Sequence, residues 1–85
     1  MNVILLPVAE SDLLYWKRTS PQMIKRIKLL LKDCCEHPEY GIGKPERLRF
    51  ELTGCWSRRI DREHRMLYKF DETNIEILSL RYHYK

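Results

Sequence analysis

Two hydrophobic periodicities divide the chain of 85 residues into a helical first half and a strand-rich second half. The first six residues are mostly apolar and predict a short strand. Apolar residues then recur at helical spacing over 7–18 and 21–36, which predicts two helices. Pro7 and Pro21 suit the first position of a helix, and Ser20 is a good N-cap for the second.

Beyond a glycine- and proline-containing loop at 40–45, the hydrophobic period changes to two. Alternation over 48–53 predicts a strand, and segments 56–60 and 64–70 predict a hairpin across a polar turn. A last strand is expected over 75–82. The sequence therefore predicts an α+β fold in one domain, residues 1–85. It consists of a strand, two helices and then a four-stranded antiparallel segment, with both helices packed on one face of the sheet.

The alternation also predicts which side chains share a face of the sheet. Met66, Tyr68 and Phe70 form one set that we assign to the core, and Trp56 and Ile60 join them from the preceding strand. The opposite face then carries polar residues, which are Ser57, Arg59, Arg65, Arg81 and His83. A polar sheet face is thus expected, with the helices covering the reverse.

In the last strand the buried set stays open. Leu78, Leu80 and Tyr82 form one alternating set, with Tyr82 favoured as a core residue. Ile75 and Ile77 lie on the other side, together with Arg81 and His83. Both sets therefore contain apolar residues, and alternation alone does not decide between them.

Composition indicates a small soluble protein, because 44% of the residues are apolar and 33% are charged. The longest apolar runs fall far short of the roughly 20 residues of a spanning helix, and no secretory signal is visible. We therefore expect a cytoplasmic protein without membrane association. Three cysteines without C-x-x-C spacing predict neither a disulfide framework nor a metal site, and no cofactor is expected.

The net charge of +4 is concentrated in one part of the chain. Residues 44–69 contain eight basic and four acidic side chains, and the remainder is balanced. A concentrated positive field favours a polyanionic partner such as RNA. A solvated charged face of the sheet explains the same pattern equally well, so charge alone does not settle the matter.

Several side chains have the chemistry for cleaving RNA without a metal. In that reaction a base activates the 2′-hydroxyl, cations stabilise the crowded phosphorane, and an acid protonates the departing 5′-oxygen. Glu46 is a candidate base, His83 a candidate acid and Arg65 a candidate for the developing charge. Simpler roles stay open: a solvated loop carboxylate for Glu46, a frayed terminal residue for His83, and surface cations for Arg58, Arg59 and Arg65.

Three motifs carry a resemblance to a known family. They are Gly43-Lys44-Pro45-Glu46-x-Leu48, the series Leu52-x-Gly54-x-Trp56-Ser57-Arg58-Arg59-Ile60-x-x-Glu63-His64-Arg65-x-x-Tyr68, and the terminal Arg81-Tyr82-His83-Tyr84. With Tyr15-Trp16 in the first helix, they resemble the YoeB (Txe) toxins of the RelE-like superfamily over nearly the whole chain. The resemblance implies a microbial-ribonuclease-like α+β fold and a ribosome-dependent mRNA endonuclease (mRNA interferase), which cuts mRNA in the ribosomal A site and inhibits translation.

The resemblance also implies roles for individual residues. Glu46 matches the general base, His83 the general acid, Arg65 the stabiliser of the scissile phosphate, and Tyr84 the residue that orients the substrate. Arg59 matches a family arginine at the phosphate-binding face. Four further basic residues are candidates for binding phosphate or RNA: Lys44, Arg49, Arg58 and Arg81. Implied partners are mRNA on the ribosome with its rRNA, a YefM-like antitoxin, and a second copy in a homodimer. No metal is implied.

Two departures from the family bear on function: position 49 is arginine where the family commonly has lysine, and the chain continues to Lys85 where typical members end on the tyrosine equivalent to Tyr84. These differences keep an alternative open, in which the basic face only binds the ribosome or rRNA and inhibits translation without cutting. A further alternative is a protein that serves chiefly as the antitoxin's partner in a repressor complex.

Overall fold

The computed structural model describes residues 1–82, and its first half is a strand followed by two helices. Strand β1 is Asn2–Leu5, helix α1 is Pro7–Thr19, and helix α2 is Pro21–Glu36. Both helices begin with proline, and the Ser20 hydroxyl caps α2 by accepting a hydrogen bond from the backbone N–H of Met23 at 3.3 Å. These helix starts are where the sequence predicted them.

The second half forms most of a five-stranded sheet. Its strands are β2 (Glu46–Arg47), β3 (Trp56–Arg59), β4 (Arg65–Phe70) and β5 (Asn74–Ser79). The order across the sheet is β1-β5-β4-β3-β2, with β1 parallel to β5 and the other pairs antiparallel. The predicted α+β architecture is confirmed, and the second half does form four mutually antiparallel strands, although the first of them is not the predicted one.

The strand predicted over 48–53 is wrong. Only Glu46–Arg47 pair with β3, and Phe50–Leu52 form one turn of 3-10 helix. Phe50 adopts a left-handed conformation with φ of 58°, far from the extended conformation of a regular β-strand. Leu48 and Phe50 alternate in the sequence as residues of one strand face would, but Leu48 is buried and Phe50 is exposed, so they share no face. Beyond Leu48, hydrogen bonds within the loop replace those of a strand pair.

The core lies between the helices and one face of the sheet. Helix α2 contributes Ile27, Leu30 and Cys34, and α1 contributes Ala9 and Trp16. The sheet residues of the same cluster are Ile60, Met66, Tyr68, Ile75, Ile77 and Leu80, all buried. Because these sheet residues lie on one face, both helices cover that face, as the sequence predicted.

A β-bulge decides which side of β5 is buried. Tyr68 is paired with Ile77, but Leu67 is paired with Ser79, so Leu78 is an extra residue opposite β4. The extra residue reverses the alternation, and Ile77 and Leu80 therefore both enter the core although they are three positions apart. Tyr82 is 56% exposed, so its prediction as a core residue is wrong.

Candidate active site

The face of the sheet opposite the helices carries a carboxylate and two arginines in neighbouring cross-strand pairs. Glu46 in β2 is paired with Ser57 in β3, and two positions along β3 Arg59 is paired with Arg65 of β4. Successive residues on one face of a strand are about 7 Å apart, so the two pairs are adjacent. The structure thus brings Arg59 and Arg65 to one face, as predicted, and adds Glu46, which was expected in a loop at the rim of the sheet.

The arginine pair is an unusual choice for directly opposed positions. Like charges across a strand pair are destabilising. Among residues 1–82, neither Arg59 nor Arg65 has a carboxylate within 4.0 Å. Arg59 is exposed and Arg65 half-buried, so both guanidinium groups can meet a ligand. Two such cations side by side produce a local positive field suited to a phosphate.

The loop that carries Lys44 to Glu46 is held against the sheet by its glycine. The backbone N–H of Arg59 donates to the carbonyl of Gly43 at 2.7 Å. Gly43 has φ of 81°, and a Cβ there would lie 2.8 Å from Leu30 Cδ2 and 3.2 Å from Arg58 Cβ. Close packing at this glycine therefore fixes where the following Glu46 enters the sheet.

Arg58 is not on the face that carries Glu46, Arg59 and Arg65, and its sequence-based assignment to phosphate binding is corrected. Its side chain is completely buried and contacts Asp33 of α2 at 2.6 Å. It also donates to the carbonyls of His37, Tyr40 and Ile42. Arg58 shares the alternation of Trp56 and Ile60, which was the available signal for the helix-covered face. A buried guanidinium with this set of partners ties the loop after α2 to the sheet.

Two neighbours of Arg58 have displaced pKa values. The hydrogen bond from Arg58 holds the pKa of Asp33 below its usual value of 3.8, with help from the Ile42 N–H. Burial raises the pKa of Tyr68 to about 12. Its neutral hydroxyl donates to the Pro38 carbonyl at 2.6 Å and accepts from Arg58 Nε at 3.2 Å. This cluster stays ion-paired and hydrogen-bonded across neutral pH.

Arg81 also departs from its predicted place on the polar sheet face. Strand β5 ends at Ser79, and the Arg81 guanidinium lies over the ring of Tyr15 in α1, 3.7 Å from its centroid. Its Nη2 donates to the Tyr82 hydroxyl at 2.7 Å. The bulge and the end of the strand cancel the alternation on which the prediction rested, so Arg81 packs against the helix instead.

Sequence reasoning missed two residues of α1 that fix the end of the sheet. The carboxylate of Asp12 is buried and accepts the backbone N–H of Leu80 at 2.9 Å. Trp16 Nε1 donates to the carbonyl of Leu80 at 2.9 Å. The signal was present, because Asp12 is a charged residue on the apolar face of its helix, four residues from Trp16.

His64 holds Tyr82, two residues after Leu80, in the same way. It is 9% exposed, packs edge-on against Trp16 with ring centroids 4.8 Å apart, and accepts the backbone N–H of Tyr82 at Nδ1, 2.7 Å away. In return the backbone N–H of Arg65 donates to the Tyr82 carbonyl at 3.1 Å. The next two residues in sequence are the predicted general acid His83 and orienting Tyr84, which lie outside the described residues.

The remaining candidates lie at the edge of the sheet. Lys44 is exposed, with φ of 51°, and Arg49 is exposed just beyond β2. A concave surface of about 610 Å³ is lined by residues 46–52, so Glu46 and Arg49 border the same depression. In residues 1–82, no three His, Cys, Asp or Glu side chains lie close enough to share a metal ion.

Comparison with known families identifies the class of protein as a toxin of a bacterial type II toxin–antitoxin system. Residues 7–84 match the family described as "YoeB-like toxin of bacterial type II toxin-antitoxin system". "Toxin YoeB" of Escherichia coli strain K12 is 42% identical over 84 residues, which cover 99% of this chain and 100% of the relative. The chain therefore belongs to the YoeB family of toxins.

Solved structures agree with that membership. A "YoeB/ParE toxin from Agrobacterium tumefaciens" superposes with a TM-score of 0.95 at 34% identity, covering 99% of this chain and 100% of the other. A YoeB dimer from Staphylococcus aureus gives 0.92, and a heterotetrameric YoeB-YefM complex from the same organism gives 0.91. Both are 42% identical to this chain and cover 99% of it and 98% of their own chains.

Over the part of the chain that the structure describes, neither helix is long and apolar enough to span a membrane.

Proposed function

We propose that this toxin is a ribosome-dependent mRNA endoribonuclease that cuts the codon in the ribosomal A site and so inhibits translation. One observation carries the proposal: the sheet face opposite the helices presents the Glu46 carboxylate next to the directly paired Arg59 and Arg65, which have no carboxylate within 4.0 Å among residues 1–82. A base beside a double cation is what transesterification of an RNA phosphodiester requires.

The reaction balances with the residues of this chain alone. Glu46 removes the proton of the ribose 2′-hydroxyl, and the 2′-oxygen forms a bond to the adjacent phosphorus. Arg59 and Arg65 stabilise the negative charge on the equatorial oxygens. The bond from phosphorus to the 5′-oxygen breaks as His83 donates a proton to that oxygen. The products are a 2′,3′-cyclic phosphate and a 5′-hydroxyl, with Tyr84 orienting the substrate. No metal takes part in these steps.

Two features support action on the ribosome: the positive charge of this sheet face and membership of the YoeB family. Lys44, Arg49, Arg59 and Arg65 lie in or beside the sheet face, where they can contact the phosphates of mRNA and rRNA. Arg58 is left out because it is buried. A YefM-like antitoxin is the proposed neutralising partner, because the YoeB-YefM complex is formed by a close structural relative. A homodimer is proposed on the same ground from the YoeB dimer. The proposed location is the cytoplasm.

The test is primer extension on a short mRNA held on ribosomes with a chosen codon in the A site. Wild type should create a new 3′ end inside that codon. We expect Glu46→Gln and His83→Gln each to slow cutting by roughly 10²–10⁴-fold, as loss of a positioned base or acid does. Arg65→Gln should also slow cutting strongly, because the variant lacks a cation that stabilises the negative charge on the phosphate oxygens in the transition state.

Arg62→Gln is the matched control, since Arg62 is an exposed arginine in the turn between β3 and β4 and is three residues from Arg65. It removes the same charge away from the face and should leave cutting nearly unchanged. Stalled ribosomes with intact mRNA for wild type would contradict the nuclease and favour the non-catalytic ribosome-binding alternative, which the exposed Arg49 also suits.

A further inference from the structure

Phe50 is the most exposed large apolar side chain in residues 1–82, with 87% of its surface accessible. Exposure of an entire phenyl ring is unfavourable, because apolar surface gains free energy when it leaves water. The proposed chemistry uses Glu46, Arg59 and Arg65 and gives this ring no role. Phe50 therefore needs a separate explanation.

The backbone at Phe50 is strained as well. Its φ of 58° lies in the left-handed region, which is strongly disfavoured for bulky side chains and is normally occupied by glycine or asparagine. Such strain persists only where the surrounding structure enforces it, and it concentrates at functional sites. An aromatic residue in this position costs stability and keeps a ring in water.

Hydrogen bonds within the loop enforce the conformation. The Phe50 carbonyl accepts the Thr53 hydroxyl at 2.7 Å and the Thr53 N–H at 3.0 Å. Flanking bonds run from Leu52 N–H to the Arg49 carbonyl at 3.1 Å and from Cys55 N–H to the Leu52 carbonyl at 2.9 Å. The backbone below the ring is thus fixed before any ligand arrives. Pre-ordering of this kind lowers the entropy cost of binding.

The location of Phe50 beside the proposed catalytic base indicates which ligand its ring would meet. Phe50 lines the same concave surface as Glu46, beside the exposed Arg47 and Arg49. Glu46 and Glu51 balance the charge of those two arginines within the depression, so charge alone does not select what meets the ring. A nucleobase next to a bound phosphate offers a flat π-face to an aromatic ring whatever its sequence.

We propose that Phe50 is a stacking platform for an unpaired nucleobase of single-stranded RNA, the base of a nucleotide flanking the scissile phosphate. The platform rests on the proposed function, since Glu46 marks the position of the scissile phosphate. Phe50 thereby helps to set the register of the RNA strand relative to Glu46.

The first experiment compares Phe50→Asn with wild type. Asparagine tolerates the left-handed conformation, so the variant should melt at the same or a higher temperature while losing the ring. Phe50→Trp should retain the function, and Phe50→Leu should not, because leucine is apolar but cannot stack. The binding probe is a ribosome-programmed mRNA with a non-cleavable 2′-deoxynucleotide in the A-site codon, and cutting is measured on the ordinary mRNA.

We expect Phe50→Asn to weaken mRNA binding or slow cutting by roughly 5- to 150-fold, the range that base–aromatic stacking provides. Removing single bases of the mRNA as abasic nucleotides adds a double-mutant cycle. At one position the abasic substitution should cost wild type as much as Phe50→Asn does, and should cost the variant nothing further. Tyr40→Leu removes another exposed aromatic ring outside this depression and should change neither quantity.

The outcomes separate this proposal from the function on which it rests. If wild type cuts mRNA and Phe50→Asn cuts and binds equally well, the stacking role of Phe50 is refuted while the nuclease function is supported. If wild type binds the non-cleavable mRNA through Phe50 without cutting the ordinary one, the platform stands and the nuclease is wrong. Loss of antitoxin binding in Phe50→Asn, with RNA binding and cutting intact, would show a protein-binding residue and overturn the platform.

Discussion

The backbone N–H of Tyr82 donates a hydrogen bond to Nδ1 of His64, 2.7 Å away. Since Nδ1 accepts this bond, the imidazole proton resides on Nε2, and the ring is held by Trp16 as well. The residue that follows Tyr82 is the proposed acid His83, and the one that follows His64 is Arg65. The His64 side chain therefore couples β4, which begins at the proposed phosphate-binding residue Arg65, to the segment that leads to the proposed acid.

We predict that His64→Leu lowers the rate of mRNA cutting by more than its loss of stability explains. The Tyr82 N–H would lose its partner, which costs at most about 1–3 kcal/mol because this donor is only part-buried, and the Tyr82 backbone would no longer be fixed. His64→Asn offers an oxygen near the position of Nδ1 and should restore much of the rate. The turnover rate should fall more than the affinity for ribosomes. Equal defects in both variants would contradict the positioning role.

We predict that Arg58→Met destabilises the protein by about 3–5 kcal/mol, because it leaves Asp33 without its cation and three carbonyls without a donor. Urea denaturation followed by fluorescence measures the free energy of unfolding. Arg59→Met, at the neighbouring exposed position of the same strand, should change it by less than about 1 kcal/mol while reducing mRNA cutting. Similar losses of stability in both variants would argue against a specific role for the buried ion pair.

We predict that the ion pair of Asp33 makes the protein sensitive to acid. The pKa of Asp33 is lowered in the folded state, so its stabilising effect is complete above the unfolded value near 3.8 and is lost as the pH falls through the lower folded value. Asp33→Asn should therefore be less stable than wild type at neutral pH and should show a shallower decline of unfolding free energy below pH 4. Glu36→Gln, at an exposed carboxylate of the same helix, is the control and should leave the decline unchanged.

We predict that Gly43→Ala costs more stability than Gly54→Ala and also slows mRNA cutting. Both glycines have positive φ, 81° and 95°, so alanine is strained by roughly 1 kcal/mol at either position. A Cβ at Gly43 would also press on Leu30 and on the carbonyl of Arg59 at 3.1 Å, whereas a Cβ at Gly54 meets nothing within 4 Å. The added repulsion at Gly43 should displace the loop leading to Glu46. Thermal melts and the primer-extension rate measure the two effects.

Much of the fold could be predicted because it depends on local chemistry. Pro7, Ser20 and Pro21 mark where helices begin, since they satisfy or omit the unpaired N–H groups of a first turn. The period of two over β3 and β4 correctly assigned Met66 and Tyr68 to the core. Each of these signals is contained within a few neighbouring residues.

The errors arose where distant segments meet. Arg58 was predicted to bind phosphate or RNA, but Asp33 and the loop carbonyls compensate its charge inside the protein. Alternation could not predict the bulge at Leu78, because an extra residue in one strand is defined only by its partner strand. Asp12 acts on Leu80, 68 positions away, so no sequence window contains both.

The sequence by itself determined the order of the elements, the core face of the hairpin, the family motifs and the identity of the residues able to perform acid–base and phosphate chemistry. Tertiary structure alone decided that Arg59 and Arg65 are directly paired beside Glu46, that Arg58 and Arg81 are withdrawn to the helix side, and that the ring of Phe50 stands free. The physical reason is that propensity and alternation act over a few residues, whereas pairing register, bulges and charge compensation depend on which segments come together when the chain folds.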